Sequence, residues 1–279
     1  MNMLRCILSV VFLGITSSNA DTLSYLRFEE GSGYGAYDET GLMNGGVLGF
    51  TSIDPGGGDS GGTGWSTNVP SSTVSQTGEA NTGSLHFGPG MVDLSNANVL
   101  SLGLAFTVEM FLMLDAPSTF NDIFGLSPVS KLYFTIIDSS GNLYFRMQFQ
   151  DQIDSLIPAT LLQENVWSHI ALVVESTEYS IYVDGQSQYN GSIPTGGEGP
   201  YWFSGDPTTG NRTIGDGFSG WIDEFRISDE ALLPSQFLNA SIPEPGTLGL
   251  LGLGAILVAI RKRTRTGRGS PPTPPSKRL

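Results

Sequence analysis

Residues 167–186 read W-S-H-I-A-L-V-V-E-S-T-E-Y-S-I-Y-V-D-G-Q, and their pattern decides the fold class. Two β-rich runs, 167–174 and 179–183, flank the polar residues Glu175, Ser176, Thr177 and Glu178, a connection that predicts a hairpin. In the first run Ile170, Leu172 and Val174 share one face, while His169, Ala171 and Val173 share the other. Both faces are mostly apolar, so this is expected to be an interior strand covered on both sides. The second run sets Tyr179, Ile181 and Val183 on one face and stops at Asp184-Gly185, a pair that tolerates positive φ.

The alternation recurs on both sides of this hairpin. Residues 104–114 place Leu104, Phe106, Val108, Met110, Leu112 and Leu114 on one face, with Thr107 and Glu109 opposite. Runs 132–137 and 143–149 predict a second hairpin, and 23–28, 84–87, 213–215 and 221–227 read as shorter strands. One helix is expected, at 229–238, with Ser228 as N-cap and Pro234 limiting it to about two turns. Residues 51–83 are rich in Gly, Ser and Thr and predict an inserted surface loop outside both sheets, with Trp65 as its large apolar anchor. A second Gly/Pro-rich loop spans 191–210. Many short strands and almost no helix predict an all-β jelly-roll sandwich of two antiparallel sheets.

The ends read differently. Residues 1–20 carry Arg5, an apolar run from Ile7 to Ile15 and small residues before Asp21, the pattern of a secretory signal peptide cleaved between Ala20 and Asp21. Cys6, the only cysteine, lies inside it, so the processed chain has no disulfide and no thiolate metal site. Between 21 and 240, five cations oppose 26 acids, a net charge of −21, whereas 241–279 carries +6. Such an acidic body repels phosphate, which excludes nucleic acid as a partner and disfavours anionic lipid. It suits calcium or neutral glycans, and it also simply keeps a secreted protein soluble.

At this point the residues resemble a known family. Y-L-R-F-E-E-G-S-G from Tyr25, D-E-T-G from Asp38, F-T-V-E-M-F from Phe106, W-S-H-I-A-L-V from Trp167, Y-V-D-G from Tyr182 and G-W-I-D-E-F-R-I-S from Gly220 fall in the order of laminin-G-like (LamG-like) jelly rolls. The resemblance covers residues 21–240 and implies a concanavalin A-like sandwich; that fold hosts lectins, adhesion modules and glycosidases alike. Pro243-Glu244-Pro245, the apolar run 246–260 and Arg261-Lys262-Arg263 resemble the PEP-CTERM sorting signal of Gram-negative bacteria, which an exosortase, a membrane-embedded transpeptidase, recognises. The prolines hold an extended strand, the apolar run enters the bilayer as a short membrane helix, and the cations stay cytoplasmic. Residues 264–279 add a basic, Pro-rich tail that such signals usually lack.

The resemblance also frames the chemistry. Related glucanases place carboxylates two apart on one strand, but here Trp221 and Phe225 flank Asp223 at those positions, so no catalytic pair is expected. His86 and His169 read as buried, hydrogen-bonded histidines. The resemblance implies one calcium ion tying the N-terminal turns to the closing strand, with Asp38 and Asp223 as ligands and Asn44 as a third. The alternative is that Asp38 bonds its own turn and Asp223 pairs with Arg226 or caps a neighbouring loop. Trp65, Tyr201 and Trp202 are the candidate sugar-stacking aromatics, against a role as loop anchors. The 56–64 glycine run has no phosphate-loop context. These residues describe a secreted, non-enzymatic LamG-like protein, sorted by exosortase to the envelope or extracellular polysaccharide, structural or adhesive and able to bind carbohydrate. The alternatives are a glycan-processing enzyme of the same fold and a permanently tail-anchored surface protein.

Overall fold

The computed structural model describes residues 21–241 apart from 43–44, 50–62, 89, 95–101, 116–120, 127–131, 140, 150–151 and 194–211. Two antiparallel eight-stranded sheets enclose one apolar core. Sheet A runs β14 (Gln186–Ser192), β13 (Glu178–Val183), β12 (Ser168–Glu175), β7 (Ala105–Leu114), β16 (Gly220–Ser228), β5 (Ser84–Phe87), β4 (Gly64–Ser66), and β1 (Thr22–Leu26) also pairs with β16. Sheet B runs β11 (Gln152–Pro158), β10 (Asn142–Phe149), β9 (Leu132–Ser139), β8 (Asn121–Leu126), β15 (Arg212–Ile214), β6 (Met91–Asp93), β3 (Gly46–Gly49), β2 (Gly35–Ala36). The chain divides into two units, Met1–Ala240 and Ser241–Leu279.

The expected hairpin is β12–β13, and its pairing extends to Glu175↔Glu178, so the turn is Ser176-Thr177 rather than four residues. Strand β12 is buried on both faces: Ile170, Leu172 and Val174 enter the main core, while Ala171 and Val173 meet Leu232 and Phe237. Strand β7 does likewise. Phe106, Val108, Met110, Leu112 and Leu114 face the core, and Thr107 and Glu109 are buried on the opposite side. At the β7–β16 crossing Gly220 has φ +144, and a methyl on it would lie 2.1 Å from the Met113 carbonyl oxygen, a place only glycine can occupy.

Two expectations need correction. Residues 229–238 form no α-helix; a single 3₁₀ turn, Pro234–Gln236, is all that forms there. The physical reason is competition for the backbone. Leu232 N–H donates to Thr107 Oγ1 (2.9 Å), Thr107 Oγ1 donates to the Glu230 carbonyl (2.8 Å), and Leu238 N–H donates to Glu109 Oε2 (2.9 Å). These bonds hold the segment as a strap across the outer face of sheet A. The 51–83 stretch is not wholly outside the sheets either, because Gly64–Ser66 is strand β4. Trp65 is in the core at 5 % exposure, with its indole N–H donating to the Gly33 carbonyl (3.0 Å).

Candidate functional site

Among the described residues, three places gather polar chemistry. The first is Glu109, buried on the outer side of β7. His169 Nε2–H donates to its Oε2 (2.8 Å), Arg226 Nε–H donates to its Oε1 (2.7 Å), and a second Arg226 N–H reaches the same oxygen. Burial alone would push this carboxyl up, but the His169 hydrogen bond and the Arg226 charge hold it below the ordinary range. Arg226 also donates to the Gln236 carbonyl (2.8 Å), so the strap closes over the pair. His169 is thus the buried, hydrogen-bonded histidine the sequence indicated, and Arg226 is spoken for by Glu109, not by Asp223. A lone carboxylate inside the apolar alternation of 104–114 was the signal for this site, readable only as an exposed position without the register.

The second place is a bulge in β16, where the register shifts between Asp223 and Arg226 and Glu224 adopts φ 52. A left-handed non-glycine residue costs about 1–2 kcal/mol and needs compensation. Glu224 receives hydrogen bonds from Arg27 (3.0 and 3.1 Å) and from the Tyr25 hydroxyl. Asp223 is fully buried; Asn81 Nδ2 donates to its Oδ2 (2.8 Å), and burial pushes its carboxyl up to about 8. Its Oδ1 and Asn81 Oδ1 are buried without a hydrogen-bond partner. Residues 66–83 cover this bulge, since Arg27 also bonds the Ala80 carbonyl (2.5 Å) and Glu79 (3.2 Å), and Trp221 donates to Ser66 Oγ (3.1 Å).

The third place is open. A cavity of about 420 Å³ lies between the β9–β10 turn and the loop after β11, lined by Asn142, Tyr144, Pro158, Thr160, Gln163 and Glu164 among others. That volume falls within the range of small-ligand sites. The loop is braced by Ala159 N–H to the Leu143 carbonyl (2.9 Å), and Leu161 N–H donates to Gln188 Oε1 (3.3 Å) of β14. Sequence reasoning missed this site because no motif marks it; two separate segments, 141–144 and 158–164, supply its walls.

The metal candidates sit apart from one another in role. Asp38 Oδ1 accepts from Tyr25 N–H (2.9 Å) and Thr40 N–H (3.1 Å), and Oδ2 accepts from the Thr40 hydroxyl (2.6 Å), the turn-bonding arrangement weighed from sequence. Among the described residues no three His, Cys, Asp or Glu side chains converge as a metal-binding group. Asn44, Tyr201, Trp202, Ala20, the Pro243-Glu244-Pro245 motif and Arg261-Lys262-Arg263 lie outside the described residues. So does the apolar run 246–260; among the described residues no helix is long and apolar enough to cross a membrane. Trp65, being core, is not a sugar platform.

Residues 88–236, just over half of the chain, match the concanavalin A-like lectin/glucanases superfamily. The chain belongs to this superfamily. Residues 241–263 match the PEP-CTERM protein-sorting motif. No curated protein matches the chain. Among solved structures, domain 4 of AbnA, a GH43 extracellular arabinanase from Geobacillus stearothermophilus in complex with arabinotriose, aligns with a TM-score of 0.54 at 18 % identity over 78 % of this chain and 96 % of that domain. A mutant Trypanosoma rangeli sialidase displaying trans-sialidase activity gives 0.51 at 13 % identity, over 78 % of this chain and 32 % of the sialidase. At these identities the likeness is one of fold. The superfamily holds enzymes and non-enzymes, so activity has to be argued from the site.

Proposed function

We propose that this superfamily member is an exported, exosortase-sorted surface protein that binds carbohydrate through the groove at Tyr144 and does not cut it. The observation that carries the reading is the contrast between the two faces. On sheet A the carboxylates Glu109, Asp223 and Glu224 are fully buried beneath the 66–83 and 229–240 segments, out of reach of a substrate. The open groove offers a tyrosine, side-chain amides and a single carboxylate, Glu164, which suits binding but lacks the pair that glycoside hydrolysis uses. The likeness to a domain seen with arabinotriose supports the same ligand class. An enzyme with an unrecognised site is the second reading, and a glycan-release assay separates the two. On a glycan array, wild-type full-length protein should bind neutral oligosaccharides, and Tyr144→Ala should weaken that binding about tenfold. Equal binding by the variant removes the groove from the proposal.

The start of the domain is tied down where signal cleavage would fall. Asp21 N–H donates to Asp229 Oδ1 (2.9 Å) and Asp229 N–H returns to the Asp21 carbonyl (3.1 Å). Signal cleavage after Ala20 turns that amide into an ammonium against a carboxylate, a stronger charge-assisted bond. At the C-terminus, exosortase processing at Pro243-Glu244-Pro245 should yield surface protein lacking 261–279. Mass spectrometry of surface material is expected to find no peptide from 270–279; finding one favours the tail-anchored alternative. For calcium, Asp38 is committed to its turn, and Asp223 with Asn81 would hold the ion, since both carry an unpartnered hard oxygen.

A further inference from the structure

The strap 229–240 is fastened by its main chain right up to the sorting motif. Leu238 N–H donates to Glu109 Oε2 (2.9 Å) and the Leu238 carbonyl accepts from Gln76 N–H (3.1 Å), so two other segments take both main-chain groups of this residue. Ala240 N–H turns back to the Phe237 carbonyl (2.9 Å), and Arg226 donates to the Gln236 carbonyl (2.8 Å). Phe237 and Leu238 are fully buried. The Phe237 ring packs on Tyr182 and His169, with centroids 5.3 and 5.6 Å away. The sorting-motif match begins at residue 241, directly after Ala240. Only Ser241 and Ile242 stand between Ala240 and Pro243.

An enzyme that cuts or transfers a peptide takes it as an extended strand and hydrogen-bonds its main chain on both sides of the bond attacked. Residues 237–240 cannot serve in that way while their backbone groups are bonded within the domain. We infer that the strap is a latch on processing: exosortase acts at Pro243-Glu244-Pro245 only after residues 237–240 have come away from sheet A. Release starts at this end of the strap. At the other end Asp229 is pinned by two hydrogen bonds with Asp21, and Leu232 N–H is held by Thr107 Oγ1. Where opening and closing are fast compared with processing, the processing rate follows the small population of opened strap. The consequence is a folded precursor whose lifetime is set by the contacts of Leu238 with Glu109 and Gln76. This inference rests on the exosortase reading, but it fails separately from it.

The test follows loss of residues 270–279 from pulse-labelled full-length precursor in the native host. It compares wild type, Glu109→Gln, and a protein with Gly-Ser-Gly-Ser inserted after Ala240. The spacer leaves the strap docked and supplies free residues ahead of Pro243. Both changes should speed processing about tenfold, the glutamine because its neutral amide is a weaker acceptor for Leu238 N–H. Hydrogen exchange at the Leu238 amide of purified full-length protein reads the cause: it should quicken in Glu109→Gln and stay at the wild-type rate in the spacer protein. If Glu109→Gln does not fold, the spacer protein decides alone. A spacer protein processed no faster than wild type overturns the latch and leaves the exosortase reading standing. Wild type that never loses 270–279 removes the exosortase reading and the latch with it.

Discussion

Glu109→Ala should lower the stability of the sandwich by about 3–5 kcal/mol, the cost of leaving a buried charge without its partner. The carboxylate is fully buried and answers Arg226, His169 and the Leu238 amide at once. Its removal strands the Arg226 guanidinium and the Leu238 N–H beneath the strap, so residues 229–240 should loosen before the sheets do. The pH dependence follows from the direction of the shift. Glu109 is held below its ordinary range in the fold, so its stabilisation is present above the unfolded value and is lost as pH falls through the folded one. Wild type should therefore lose stability steeply in acid, and Glu109→Gln should flatten that limb. Urea midpoints at several pH values read both effects; a variant within about 0.5 kcal/mol of wild type would falsify the role given to this carboxylate.

Asp223→Asn, measured in excess chelator, should do the reverse and stabilise the protein by about 2–4 kcal/mol at pH 8. Burial pushes this carboxyl from 3.8 up to about 8, so between those values the folded chain holds a proton the unfolded chain has released. Wild-type stability consequently falls as pH rises through that window, and the asparagine variant should not follow. The same pair of proteins tests calcium. If Asp223 and Asn81 hold an ion, adding calcium raises the wild-type melting temperature and leaves the variant unmoved. A calcium response equal in both proteins, or in neither, takes Asp223 out of the ligand set.

Other parts of the network illustrate why some residues were legible and others were not. The hairpin at 167–186 and the two-sided burial of β12 could be read directly, because strand periodicity is a local property of side-chain direction. The same rule misjudged 229–238. Its pattern and N-cap are helical by propensity, yet Thr107 and Glu109, more than a hundred residues away, take the backbone groups a helix would have used. Trp65 was misplaced for a related reason. Composition made 51–83 read as loop, and only pairing with Leu85 of β5 reveals a strand.

Sequence by itself determined the all-β class, the order of the main strands, the acidic body and the sorting motif at 241–263, since each is written in local pattern or charge. Tertiary structure alone decided which polar residues meet. Glu109, His169 and Arg226 converge because β7 lies between β12 and β16. The outer face of sheet B from Gly35 to Gln148 is likewise assembled only through six successive register pairs, and one residue of slip in any of them would turn its side chains to the other face. Strand pairing joins residues far apart in the chain, and no local periodicity encodes which partner a strand will choose.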